Sequence, residues 1–160
     1  MTHSFANIVR FNGKIILVKD MNDNNLKFCR EELEMTQSEL GLVFGVTGST
    51  VSGWENAHDT MPLPKLVKFS NLYHYSLDYV TGLSRENDYS IIDKLDKNKI
   101  GCKLRKIRND LGLTQQEIAD ECMISQTTYS NYETGQYLVT SLVLYTICKK
   151  HKISIDELLK

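Results

Sequence analysis

The stretch from Leu26 to Thr81 aligns without a gap onto Leu104 to Leu159, at a constant offset of 78 residues. Twelve of the 56 aligned pairs are identical, among them Leu26/Leu104, Arg30/Arg108, Leu33/Leu111, Thr36-Gln37/Thr114-Gln115, Glu39/Glu117, Glu55/Glu133, Leu66/Leu144, Ser76/Ser154 and Asp78/Asp156. A gapless match over a whole domain length describes two copies of one fold. An offset this long describes a pair of domains, because solenoid repeats run to only about 20–45 residues. A chain of 160 residues has room for two small domains, and each can hold one small core of short helices.

Both copies carry the punctuation of five helices. In the second, Ile100, Leu104, Ile107 and Leu111 recur at helical spacing and predict an amphipathic first helix. Thr114-Gln-Gln-Glu117 reads as a capping box, the threonine hydroxyl accepting from the glutamate amide while the glutamate carboxylate accepts from the threonine amide. Thr36-Gln-Ser-Glu39 repeats it. A short apolar helix follows (Leu40, Phe44; Ile118, Ala119, Cys122), then a turn, Gly45-Val46-Thr47 or Met123-Ile124-Ser125. Thr47 and Ser125 are placed to cap a third helix, with Val51 and Trp54, or Tyr129 and Tyr132, as its core residues. A fourth helix carries Leu66, Val67 and Phe69, or Leu144, Tyr145 and Ile147. A fifth starts at Ser76, or at the capping box Ser154-Ile-Asp-Glu157. Two helices joined by a tight turn inside a five-helix domain make a helix-turn-helix arrangement.

These residues resemble the helix-turn-helix domains of phage repressors and Cro, the XRE family, over Leu26–Leu83 and Ile100–Leu159, roughly three quarters of the chain. The second copy carries the pattern as Arg108, Thr114-Gln115-Gln116-Glu117-Ile118-Ala119, Ile124-Ser125, Tyr129-Ser130-Asn131-Tyr132-Glu133-Thr134-Gly135 and Ser154-Ile155-Asp156-Glu157-Leu158. The first carries Thr36-Gln37-Ser38-Glu39-Leu40-Gly41, Val46-Thr47, Val51-Ser52-Gly53-Trp54-Glu55 and Ser76-Leu77-Asp78-Tyr79-Val80. Each word alone is weak; all of them in order, twice, are specific. The resemblance implies a salt bridge from the first helix to the end of the third, Arg30 with Glu55 and Arg108 with Glu133, whose work is to orient the third helix. Met123 stands where the family prefers glycine.

The resemblance also implies where DNA would be met. A recognition helix reads base edges near its N-terminus while the preceding helix touches backbone. In the second copy those positions hold Ser125, Gln126, Thr127, Ser130 and Asn131. Gln and Asn suit adenine N6/N7, and Thr offers a hydroxyl and a methyl. Gln115, at the start of the second helix, is placed for a phosphate. On an isolated helix such side chains are ordinary polar surface; the family pattern shifts the reading to base contact. The first copy offers Gln37, Thr47, Ser49 and Ser52, but Gly48 and Gly53 replace the two amides, so weaker sequence reading is expected there. Trp54 and Tyr132 sit at core spacing, and Lys149-Lys150-His151-Lys152 reads as charge compensation at a helix C-terminus.

Charge agrees with that division. The formal net charge is −1, yet residues 24–83 hold four Lys/Arg against seven Asp/Glu (−3) and residues 99–160 hold nine against seven (+2). DNA binding needs a basic face and not a basic protein. The richest apolar stretch, Ile15–Val18, is too short to cross a bilayer, and residues 1–11 lack a basic flank followed by a long apolar run. Cys29, Cys102, Cys122 and Cys148 form no C-x-x-C pair, which points to reduced thiols in a cytoplasm. Neither His3, His58, His74 and His151 nor any other group suggests metal ligation, a nucleophile with its base, or a phosphate loop.

Asn12-Gly13 between Ile8–Phe11 and Lys14–Val18 predicts a β-hairpin, which would pack on the first domain or on a second chain. Residues 84–98 read as a linker, with Ile91, Ile92 and Leu95 spaced for a short helix.

The sequence therefore describes a mainly α protein: an extension over 1–23 with a short hairpin, a five-helix domain over 24–83, a linker over 84–98 and a second domain over 99–160. The expected function is a cytoplasmic, non-enzymatic, cofactor-free regulator that binds double-stranded DNA as a homodimer, a repressor in the family's pattern. The rival is a protein-interaction module, such as an antitoxin, antirepressor or dimerisation adaptor, docking through the first domain or the hairpin; a third reading has both domains on adjacent half-sites, gaining avidity from the linker without any new contact.

Overall fold

The computed structural model describes residues 7–11, 14–18 and 24–160. Among them are ten helices: α1 (Leu26–Glu32), α2 (Gln37–Phe44), α3 (Gly48–Glu55), α4 (Leu63–Tyr73), α5 (Leu77–Val80), α6 (Lys97–Asp110), α7 (Gln115–Glu121), α8 (Gln126–Glu133), α9 (Ser141–His151) and α10 (Ile155–Leu159). The chain is mainly helical, and α1–α5 and α6–α10 repeat one another element for element. The Asn12-Gly13 turn of the expected hairpin lies outside the described residues.

Local chemistry sets the helix boundaries. Thr36 and Thr114 make complete capping boxes with Glu39 and Glu117. Thr47, Ser76, Ser125 and Ser154 each accept from the amide three residues on. The box expected at Ser154 is half made, because the Glu157 carboxylate accepts instead from Lys160 Nζ at 2.8 Å. The left-handed turns repeat too: Gly45 and Met123 have φ of 65° and 55°, and Ala57 and Gly135 have 52° and 68°. Each turn so formed lets the next helix fold back on the one before it. Met123 takes the conformation that glycine takes in the first copy, so the turn is kept with a backbone strain of about 1–2 kcal/mol.

The cores follow the apolar spacing. Leu40, Phe44, Val51, Trp54, Leu66 and Phe69 are buried in the first copy, and Ile118, Ala119, Cys122, Tyr129, Tyr132, Leu144 and Ile147 in the second. Each large apolar side chain so buried contributes about 1.5–3 kcal/mol. Leu111 departs from expectation: it is the C-cap of α6 and 40% exposed, since the periodicity of α6 runs out one turn earlier. Burial also pushes the thiols of Cys29, Cys122 and Cys148 up to about 12, so these act as small apolar groups.

The linker departs further. No helix forms through Ile91, Ile92 and Leu95; α6 begins at Lys97, two residues before the expected boundary, capped by Asp96. Residues 84–96 instead form a strap fixed to the first copy. Asn71 donates to the Ile92 carbonyl at 2.9 Å and accepts from its amide at 3.2 Å, while Asn87 accepts from the Ser76 amide at 2.7 Å. Ile92 is buried beneath. Asn71 uses the backbone groups that a helix would need for itself, and so selects the extended form.

Candidate nucleic-acid interface

The interface of the second copy is built on α7, the turn and α8. The Thr114 box starts α7, and the Ile124 amide closes the turn onto the Ala119 carbonyl at 3.0 Å. Ser125 then caps α8, accepting from the Thr128 amide at 3.1 Å. Buried Tyr129 and Tyr132 fix which face of α8 turns inward, and the Tyr129 hydroxyl reaches the Leu104 carbonyl at 3.5 Å. Gly101 permits close approach of α6 to the end of α8, since a Cβ there would stand 2.7 Å from the Glu133 carbonyl oxygen.

Glu133, whose side chain is fully buried, is the hub that sets the pose of α8. Arg108 of α6 holds it with two bonds, Nε to Oε1 at 2.5 Å and Nη2 to Oε2 at 3.2 Å, and donates a third from Nη1 to the Leu113 carbonyl. Arg105, half-exposed, adds Nε to Oε2 at 3.4 Å. Gln115 donates to Oε2 at 2.8 Å, and its own carbonyl accepts from the Gln126 amide at 2.7 Å. A continuous line of bonds thus runs from the buried ion pair to the first residue of α8. Burial draws the Glu133 carboxyl up, but Arg108, Gln115 and Arg105 outweigh it and hold the group below the ordinary glutamate value. The same bond holds Arg108 above its ordinary value.

The first copy repeats the hub. Arg30 grips Glu55 through Nε at 2.5 Å and Nη2 at 3.2 Å, and Gln37 donates to Glu55 Oε2 at 2.8 Å. There the line stops, because Gly48 stands where Gln126 stands in α8. Both Arg–Glu pairs are present, each between the first and third helices of its copy.

The expected reader residues lie along α8, Ser125 at its cap and Gln126 and Thr127 in its first turn, Ser130 and Asn131 one turn further on; Ser125 and Thr127 are exposed, and Gln126, Ser130 and Asn131 half-buried. Gln126 keeps its amide oxygen and one N–H beyond the bond to Gln115. Gln115 is turned into the hub rather than standing free at the start of α7. In α3, Thr47 and Ser49 are exposed and bonded to each other at 2.9 Å, while Ser52 accepts from Asn56 at 3.2 Å. A Cβ on Gly48 would stand 2.9 Å from Ser38 Oγ, so α3 starts packed against α2; Gly53 meets only the Asp59 Cβ, at 3.8 Å. The Gln126–Gln115 bond and the second arginine on Glu133 were not anticipated. The spacing that could have suggested the first is the glutamine at the start of each helix of the turn. Lys150 and His151 grip Glu121 of α7 at 2.9 and 2.7 Å, which places those two residues of the basic run in a structural role.

Each copy is thus two helices at a three-residue turn, braced from behind by a buried ion pair, which defines a tandem pair of helix-turn-helix units. The chain belongs to the helix-turn-helix family, whose model matches residues 26–80 and 104–158. It is 43% identical over 60 residues to the cryptic phage CTXphi transcriptional repressor RstR of Vibrio cholerae, a match covering 38% of this chain and 54% of that protein. It is 33% identical over 63 residues to the uncharacterized HTH-type transcriptional regulator YobD of Bacillus subtilis, covering 39% and 56%. The chain therefore spans about half the length of these curated relatives. Solved structures similar to it include the clp gene regulator ClgR of Corynebacterium glutamicum, with a TM-score of 0.38 at 30% identity over 42% of this chain and 87% of that one. The restriction-modification controller protein C.AhdI of Aeromonas hydrophila has a TM-score of 0.37 at 26% identity over 41% and 98%.

Proposed function

We propose that this chain is a DNA-binding transcriptional regulator of the repressor kind, in which α8 enters the major groove and reads sequence. The observation that carries the reading is the Gln126 amide, held at the first residue of α8 by Gln115 and, through Glu133, by Arg108. A side chain held in place before binding has less rotamer entropy left to lose when it meets a base edge. Thr127, Ser130 and Asn131 complete the reading face, with Ser125 and Gln115 at its margin and the exposed amides of the first turn of α8 toward phosphate. Domain 1 (24–83) adds weaker contacts through Gln37, Thr47, Ser49 and Ser52, and the strap over 84–96 joins it to domain 2, which opens with α6 at Lys97. No catalytic step or cofactor enters this function. Among the described residues no helix is long and apolar enough to cross a membrane. The free buried thiols support a reducing compartment, the cytoplasm.

The relative RstR is itself described as a transcriptional repressor, which favours repression as the output. Readers of this kind cover paired half-sites, and a homodimer is one assembly that does so. The N-terminal segment is proposed as a hairpin, with a role in packing or pairing.

A protein-docking role for domain 1 has its own observation. Leu42 and Phe28 are 81% and 50% exposed, where the second copy carries Asp120 and Lys106. Selecting duplexes from a random pool with the full chain separates the two readings. Enrichment of a defined sequence is expected. Failure to enrich any sequence at low salt, together with capture of a protein partner, would overturn the proposal.

A further inference from the structure

The contact between the two copies has the form of a symmetric dimer interface closed inside one chain. Asp78, in α5, accepts from the Ile155 amide at 2.7 Å and the Ser154 hydroxyl at 2.5 Å at the start of α10. Asp156, in α10, accepts from the Leu77 and Asp78 amides at 3.0 and 2.8 Å at the start of α5. Each aspartate thus meets the start of the other copy's fifth helix, and the Asp78–Ile155 amide bond becomes the Asp156–Leu77 amide bond when 78 residues are added to one partner and subtracted from the other; the bonds to the Ser154 hydroxyl and the Asp78 amide are particular to one side. That exchange, i touching j while j touches i, is the mark of an isologous contact.

A further contact joins the copies: Ser141, at the start of α9, donates to the Met61 carbonyl at 2.6 Å in a buried bond. A groove of about 430 Å³ beside it is lined by residues 60–64 and 138–142, the same five positions of the two copies.

We propose that the single chain is the DNA-reading pair: α3 and α8 are related by this internal two-fold and address two adjacent half-sites of one duplex, so no homodimer through the fifth helices is required. This rests on the reading of α8 as a major-groove helix. The face through which two such copies would pair is already occupied within the chain. Fusion also frees the halves to diverge. In a homodimer the loss of Gln126 and Asn131 would remove both readers at once; here Gly48 and Gly53 remove them from one side only, and the pairing surface stays intact. The ligand class is accordingly a duplex with two unlike half-sites, one sharply specified under α8 and one weakly specified under α3.

Sedimentation and hydroxyl-radical footprinting of the full chain on a duplex selected from a random pool test this. The expected complex holds one chain per duplex and protects two patches on one face, centred about 10 base pairs apart, only one of which shows strong base preference. Asp78→Ala with Asp156→Ala is expected to lose the weakly specified patch and to bind about a hundredfold less tightly, as the tethered second contact is lost, while keeping its base preference. Two chains per duplex, a palindromic selected site or a single protected patch would overturn the internal pair, as would a folded double variant with both patches and full affinity. If the double variant does not fold, the wild-type stoichiometry and footprint decide alone. Failure to enrich any duplex refutes the DNA reading itself, a separate result.

Discussion

Removing the Glu133 carboxylate tests what holds α8 in its pose. Glu133→Ala leaves the Arg108 guanidinium, whose side chain is 14% exposed, facing an empty buried site. Breaking a buried ion pair from one side costs about 3–5 kcal/mol. Arg108 keeps its bond to the Leu113 carbonyl and water can reach its edge, so about 3 kcal/mol is expected, near the lower bound. For a unit of about 60 residues that corresponds to a fall of about 12–24 °C in melting temperature. DNA affinity should fall as well, although Glu133 is buried and does not face solvent. Gln115 loses its acceptor in the variant, and with it the anchor of Gln126.

The acid limb gives a second reading of the same group. The folded carboxyl lies below its unfolded value, about 4.3, so the stability it contributes is complete above that value and is lost as pH falls through the folded one. Glu133→Gln should keep the shape and flatten that part of the stability–pH curve. Circular dichroism melts from pH 3 to 7 check both variants. A melting temperature within 2 °C of wild type for Glu133→Ala, with unchanged DNA affinity, refutes the orienting role.

The turns and the strap make sharper, smaller predictions. Gly45→Ala should cost about 1 kcal/mol through backbone strain alone, because nothing lies within 4 Å of the added Cβ, whereas Met123→Gly should stabilise by about 0.5 kcal/mol, the relief of strain less the entropy of glycine. Urea melts showing the same sign for both would contradict this account of the turn. Asn71→Ala should leave the Ile92 backbone without its partners, cost about 1–3 kcal/mol and open residues 84–96 to limited proteolysis; an unchanged cleavage pattern would show that Ile92 burial alone holds the strap.

The parts of the fold that the sequence disclosed are those whose causes are local or doubled. Thr36 with Glu39 and Thr114 with Glu117 satisfy each other three residues apart, so the boxes are legible from spacing. Arg30 with Glu55 and Arg108 with Glu133 were legible through the family resemblance, which both copies carry. What spacing does not display is decided by competing partners. Ser154 and Glu157 have the spacing of a box, and the Ser154 hydroxyl does accept from the Glu157 amide, yet Lys160 takes the carboxylate that would complete it. Ile91, Ile92 and Leu95 have helical spacing, yet Asn71 takes the Ile92 backbone and the strap's own Asn87 ties it to the Ser76 amide. The identity of Asp78 and Asp156 was visible in the repeat, but its reason is a contact between copies, which no periodicity along the chain displays. At the reading face the residue set was legible, whereas the Gln126–Gln115 bond depends on how two helices meet at the turn.

The central claim, that α8 reads the base sequence, is met most directly by competition binding at one fixed salt concentration. The wild-type full chain is compared with Gln126→Ala/Asn131→Ala and with Ser49→Ala, on the selected duplex and on a scrambled one. One good bidentate base contact is worth about 1–3 kcal/mol of discrimination, roughly fivefold to over a hundredfold. The double variant should lose its preference for the selected duplex yet keep salt-dependent binding to both, because its phosphate contacts remain. Ser49→Ala should discriminate as wild type does. A double variant that still prefers the selected duplex, beside a Ser49→Ala variant that no longer does, would place the reading head in the other domain.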